Sequence, residues 1–131
     1  MNSTVINPLK GEIWSVNFEP AKGQEIQKTR PALVINENAI GQLNQRIVVP
    51  ITEWKGKYKE WVWMIEIRKS QKNGLTKDSS ADSSQIRSVS IQRFSKKYGE
   101  VTLKQLENVL AGVVICIGYD CPACTIKNNL P

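Results

Sequence analysis

The sequence predicts a small, mainly β domain: an SH3-like barrel of antiparallel strands carrying a C-terminal α-helix. Three observations point there. The chain has 131 residues, the length of one domain with one core at roughly 150 residues per domain. Its strand-like segments are short and five in number, fewer than the roughly seven a sandwich needs. One amphipathic helical pattern follows them near the C-terminus.

Residues 1–9 are polar, contain Pro8 and read as a flexible N-terminal arm ahead of a single domain at 10–118. From Glu12 to Phe18 the chain alternates, with Trp14, Val16 and Phe18 on one face of a strand and Glu12, Ser15 or Asn17 exposed elsewhere. The polar stretch Glu19 to Thr29 is longer than a hairpin turn requires, and long loops in small domains are commonly functional. Pro31 to Asn36, Arg46 to Thr52, Trp61 to Ile67 and Gln85 to Ser90 read as further strands. Lys69 to Ser84 is rich in Lys, Asn, Gly, Asp and Ser and should be connecting structure with at most one short strand. Thr102 and Gln105 form a capping-box pattern. Leu106, Leu110, Val113, Val114 and Ile117 continue at helical spacing, and Gly118 supplies a stop. Residues 119–131 form a tail.

Eighteen basic against twelve acidic side chains give a formal charge of +6, which favours a polyanionic partner. The chain has no histidine, so His-based triads, paired-His ribonuclease chemistry and His-containing zinc sites are excluded. Three cysteines, Cys116, Cys121 and Cys124, without a recognisable signal peptide, point to a reducing cytoplasm. Cys121 and Cys124 have CxxC spacing, which suits redox chemistry or half of a zinc site; the second pair or histidines of a tetrahedral site are missing, so they read as unpaired tail thiols or half of an intermolecular site, and no resident metal or cofactor is expected. The apolar run Val113 to Ile117 is far short of the roughly 20 residues of a membrane span.

Trp54, Trp61 and Trp63 are interleaved with Lys55, Lys57, Lys59 and Arg68, the composition of a surface that stacks bases and tracks phosphates. The loop Glu53 to Glu60, with Lys57 in it, is the better candidate for contact with nucleic acid, while at least one of Trp61 and Trp63 is better placed in a core or an interface.

Three ordered stretches resemble the MazF/PemK toxins. Gly11 to Pro20 with Gly23-Gln24-Glu25 and Thr29 to Ile35 resembles their N-terminal signature, and Val48 to Thr52 their third-strand motif. Asp78-Ser79, Gln85 to Val89 and Arg93-Phe94 resemble their later strand and small helix. The resemblance implies a CcdB/MazF-type barrel, a homodimer, and metal-independent cleavage of single-stranded RNA that leaves 2′,3′-cyclic phosphate and 5′-hydroxyl ends. It also implies restraint by a cognate MazE-like antitoxin, a short protein with a disordered acidic tail.

The family's active-site arginine matches Arg30 and its threonine matches Thr52. An arginine suits charge building on phosphate oxygens but is a poor base, so Glu25, the acid of the signature loop, is the expected base. Lys22, Gln24 and Lys28 in the first loop, Trp54, Lys55 and Lys57, and Gln85, Arg87 and Ser88 are the expected RNA contacts. Ser84 departs from the family, which commonly has an acid there; Asp82 lies two positions away. Two other readings compete: a CcdB-like inhibitor of gyrase without catalysis, and a barrel that binds RNA but has lost cleavage.

Overall fold

The computed structural model describes residues 5–20, 22–25, 28–40 and 43–120. Strands β1 (Glu12–Asn17), β2 (Thr29–Val34), β3 (Gln45–Glu53), β4 (Met64–Ile67), β5 (Ser79–Asp82), β6 (Arg87–Ser90) and β7 (Phe94–Glu100) precede helix α1 (Leu103–Ile117). All pairings are antiparallel, in the order β4-β5-β3-β2-β1-β7, with β6 on β3. The mainly β class with one C-terminal helix is as the sequence predicts. The barrel, however, is open: β4 and β7 end the sheet and do not pair with each other.

β3 does the most to shape the site. Val48 to Pro50 pair with β2, yet Ile51 to Glu53 pair with β5 instead, so the sheet divides along this one strand. The start of β2 stays with β1, through Thr29 opposite Asn17 and Arg30 opposite Val16. Pro31 and Pro50 sit at the division, and each withdraws a backbone donor from the ladder. Beyond Ala32 and Pro50 the ends of β2 and β3 part.

Alternation places a core on each face. Ile13, Leu33, Val49 and Ile51 point to one side and bury against Ile67, Ala81, Val109 and Val113. Their neighbours Trp14, Val16, Ala32, Val34 and Val48 point to the other, joining Phe18, Val89 and Phe94. Trp14, Val16 and Phe18 thus share a face as expected, but Ser15 is buried, because this sheet is covered on both sides.

α1 begins at Thr102, whose side chain accepts from Gln105 N while the Gln105 side chain accepts from Thr102 N. It ends at Gly118 in the left-handed conformation, as the sequence predicts. The face it buries differs from the expected one: Val109, Gly112 and Val113 go inward, while Val114 and Ile117 are exposed. Gly112 sets this orientation, since a Cβ there would lie 2.6 Å from Ser83 Oγ, and only glycine lets the helix seat so closely. No helix among the described residues is long and apolar enough to cross a membrane.

Three further corrections concern local structure. Trp61 to Trp63 are not strand; they form a turn ahead of β4. β7 arises from Phe-Ser-Lys-Lys-Tyr-Gly-Glu, where no strand was expected, and its ladder to β1 carries register shifts on both sides of Trp14. The end of the N-terminal arm is docked: Pro8 is buried, and the buried Arg46 donates to Pro8 O at 2.9 Å and Asn7 Oδ1 at 3.0 Å.

Candidate active site

Continuing the register of Ala32 opposite Pro50 by two residues sets Arg30 across from Thr52, with no strand hydrogen bonds left between them. The parted strand ends therefore hold these side chains on either side of a cleft. Arg30, Thr52 and Glu53 line two recesses there, of about 290 and 310 Å³. Leu75, Lys77 and Tyr98 complete one; Lys55 and Tyr58 complete the other.

The wall carrying Leu75 and Lys77 is rigid, although its composition reads as loose connection. Asn73, buried, accepts from Ser70 N and Leu75 N at 3.0 Å and donates to Arg68 O at 2.8 Å. Gly74 has φ 70°, and a Cβ on it would stand 2.0 Å from Tyr98 O, so the loop lies directly against β7. That contact brings Tyr98 and Lys77 to the same recess.

Two hydroxyls at the division of the sheet are buried without a hydrogen-bond partner among the described residues, Thr52 Oγ1 and Ser80 Oγ. They belong to residues directly opposite each other on β3 and β5. Thr52 thus lines the cleft while its hydroxyl is turned inward. Glu53 and Lys77 face each other at 3.6 Å, with both side chains more than half exposed. Among the residues lining the two recesses, Arg30, Lys55 and Lys77 are basic and Glu53 alone is acidic, a balance suited to an anion.

Beside the cleft the aromatic residues form a chain of ring contacts. Trp54 meets Tyr58 edge-on at 5.9 Å, Tyr58 meets Trp61 at 5.3 Å, and Trp61 stacks on Trp63 at 5.6 Å. Lys57 Nζ lies over the Trp61 ring at 5.5 Å. Lys55 lines a recess with Arg30 and Thr52, while Trp54 and Lys57 adjoin it only through their contacts with the Tyr58 ring. Tyr58 joins them unforeseen; its place one residue after Lys57 in an aromatic-basic run was the available signal.

Other expected site residues lie elsewhere. Lys22, Gln24, Glu25 and Lys28 are exposed on the loop between β1 and β2 and line neither recess. The Glu25 carboxylate accepts from Lys22 N at 2.6 Å, so it closes its own loop. Gln85 Nε2 donates to Gln24 O at 3.2 Å, Arg87 lies over the Phe18 ring at 5.5 Å, and Ser88 Oγ donates to Gln45 Oε1 at 3.1 Å. Asp82 accepts from Ser84 N and Ser84 Oγ and so caps a short 3-10 turn rather than facing the cleft. Lys77 and Tyr98 were missed, and Glu53 was expected only as the first residue of a contact loop, because only the fold brings residues of β3, the β4–β5 loop and β7 together.

Among the described residues no group of three or more His, Cys, Asp or Glu side chains could hold a metal ion. Cys121 and Cys124 lie outside the described residues. Cys116 is exposed at the end of α1; partial burial, with Asp82 nearby, pushes its thiol up.

The model of the "PemK-like, MazF-like toxin of type II toxin-antitoxin system" family matches residues 9–117, and the chain belongs to that family. It is 30% identical over 103 residues to Endoribonuclease MazF9 of Mycobacterium tuberculosis, covering 74% of this chain and 85% of the relative. Its fold is similar to the crystal structure of MazF from Deinococcus radiodurans, with TM-score 0.74 and 21% identity over 86% of this chain and 97% of that one. An endoribonuclease in complex with its cognate antitoxin from a mycobacterial species is also similar, with TM-score 0.69 and 15% identity over 88% of this chain and 99% of that one.

Proposed function

We propose that this PemK/MazF-family toxin is an endoribonuclease that cuts single-stranded RNA, messenger RNA foremost, in the cleft between the parted ends of β2 and β3. The observation that carries the reading is the juxtaposition of Arg30 and Thr52, lining the same two recesses, at the two positions that match the family's active-site pair.

The chemistry follows from the substrate. The RNA 2′-hydroxyl attacks the neighbouring phosphorus, giving a 2′,3′-cyclic phosphate and a 5′-hydroxyl, so the nucleophile comes with the RNA and no metal ion is needed to generate it. Negative charge builds on the non-bridging oxygens and the departing 5′-oxygen. Arg30 meets that charge with a planar fork of donors that stays protonated. Thr52 contributes by turning about χ1: its hydroxyl has no partner among the described residues, and a phosphate oxygen in the cleft offers one. Trp54, Lys55, Tyr58, Lys57 and Trp61 form a flanking track where bases stack and phosphates meet ammonium groups. Lys22, Gln24 and Lys28 add charge and sequence selectivity from the first loop. Gln85, Arg87 and Ser88 act by holding that loop and β6 in place.

Two partners belong to the reading. A cognate antitoxin with an acidic tail covers the basic cleft, in keeping with the +6 charge and with the similar fold found in complex with its antitoxin. A second copy of residues 10–118 covers the apolar surface that Leu103, Val114, Ile115 and Ile117 leave exposed on α1.

The test is to incubate purified protein, free of antitoxin, with a long single-stranded RNA in excess EDTA and to read fragment ends by mass spectrometry. Discrete cuts ending in 2′,3′-cyclic phosphate are expected. Tight binding with intact RNA would instead indicate a barrel that has lost cleavage, and neither binding nor cleavage would remove RNA as the target.

A further inference from the structure

The transesterification needs a group that takes the proton of the 2′-hydroxyl, and Arg30 is a poor candidate because a guanidinium has no lone pair to offer at neutral pH. The chain has no histidine. Glu25, the acid of the signature loop, lines neither recess and closes its own loop onto Lys22 N. Of the other acids near this end of the sheet, Asp78 accepts from Lys69 N at 2.9 Å, Asp82 accepts from Ser84 N at 3.1 Å and Glu66 pairs with Arg68 at 3.7 Å, and none of the three lines either recess. One carboxylate lines both recesses beside Arg30 and Thr52, and it is Glu53.

We propose that Glu53 is the general base of the cleavage reaction, a role that rests on reading the cleft as the place where RNA is cut. Three features suit it. Glu53 lines both of the recesses that Arg30 and Thr52 line, so a phosphate held there lies in the same cavity as this carboxylate. Its side chain is 61% exposed, which leaves it free to swing into the cleft. Its partner Lys77 stands at 3.6 Å, beyond hydrogen-bond length, so the ammonium tethers the carboxylate at the wall without occupying its lone pairs.

In the step itself, a Glu53 carboxylate oxygen takes the 2′-hydroxyl proton as the 2′-oxygen forms its bond to phosphorus. The bond from phosphorus to the 5′-oxygen breaks, and that oxygen leaves with the bonding pair and takes a proton from water. Glu53 then returns its proton to solvent, and no oxidant, reductant or metal enters the balance.

The experiment is single-turnover cleavage of a short RNA carrying the cut site, from pH 4 to 9, by the full chain and by Glu53→Gln, Glu53→Asp and Arg30→Ala. Binding of the same RNA with a 2′-deoxy residue at the cut is measured in parallel. A positioned general base contributes about 10²–10⁴-fold. The proposal predicts that Glu53→Gln slows cleavage by that factor, loses the rise in rate with pH, and binds the 2′-deoxy RNA as the unmodified protein does. Glu53→Asp keeps the rise at a reduced rate. A Glu53→Gln variant with the original rate and pH profile overturns the proposal while the loss of activity in Arg30→Ala leaves the nuclease reading standing. If Arg30→Ala also cuts at full rate, the cleft is not the site and both readings fall.

Discussion

At the start of β1, Glu12 gathers donors from three directions: Leu9 N and Trp14 Nε1 at 2.9 Å on one oxygen, and Lys97 Nζ at 3.0 Å on the other. At the end of β3 the opposite holds, for Thr52 Oγ1 and Ser80 Oγ are buried with no partner among the described residues, and Glu53 meets Lys77 only loosely. Both clusters sit on the same sheet and are made of ordinary polar residues. The difference is that one is completed by the protein, whereas the other keeps unpartnered groups among the described residues, which on the proposed function an RNA phosphate would meet. Since leaving a buried hydroxyl unsatisfied costs about 1–3 kcal/mol, the second arrangement makes physical sense as a place reserved for a ligand, whereas the first holds β1, β7 and the N-terminal arm together.

Substitutions should therefore separate stability from cleavage. Among substitutions at Arg30, Glu12, Thr52 and Trp61, the largest effect is expected from Arg30→Ala, which should cut the cleavage rate by about 10²–10³-fold, or roughly 2.7–4 kcal/mol. The mirror image is Glu12→Gln, expected to lower stability by about 1–3 kcal/mol in denaturant titration while cleavage per folded molecule stays as it was. The acid dependence of stability sharpens this pair. Burial alone would raise the Glu12 carboxyl, but Trp14, the Leu9 amide and Lys97 outweigh it and hold it below its ordinary value. A carboxyl lowered by folding stabilises above its unfolded value and loses that contribution as pH falls through its folded one, so melting should drop in acid less steeply in Glu12→Gln than in the unmodified protein.

Thr52→Val should behave unlike an ordinary loss of a buried hydrogen bond. Because Oγ1 is unpartnered, the isosteric change should leave stability equal or up to about 1 kcal/mol higher, while cleavage falls by at least about tenfold. The smallest effect is expected from Trp61→Ala on the flanking track, with RNA binding weaker by about 1 kcal/mol and the cleavage rate at saturating RNA unchanged.

How much of this was legible beforehand depends on where the information resides. β1 and β3 carry clear patterning, and α1 announces both ends through Thr102, Gln105 and Gly118, so local residues determine them. β5 is Ser-Ser-Ala-Asp, and β7 has only Phe94 and Tyr98 as strand formers among Ser, two Lys, Gly and Glu; neither shows clear strand patterning, and each pairs with a neighbouring strand that offers an edge. Trp61 to Trp63 look like strand, yet Met64 N donates to Trp61 O at 2.9 Å and Trp61 stacks on Trp63, which closes them into a turn. On α1 apolar residues occupy both sides, so periodicity cannot select a face, and the Gly112 contact with Ser83 decides it. In the cleft, Arg30 and Thr52 could be read because each lies in a motif. The meeting of Glu53 with Lys77 and Tyr98 could not, since it depends on β3 leaving β2 and on the Asn73 loop lying against β7.

The most direct test of the contrast between the two clusters is an NMR titration of the isotope-labelled protein with a single-stranded RNA made uncleavable by a 2′-deoxy residue at the cut. Signals of the Arg30 side chain, the Thr52 methyl group and the backbone of Glu53 and Lys77 should shift together, while those of Glu12, Trp14 Nε1 and Lys97 stay in place. Shifts centred on the Glu12 cluster, with Arg30 and Thr52 unmoved, would contradict the account.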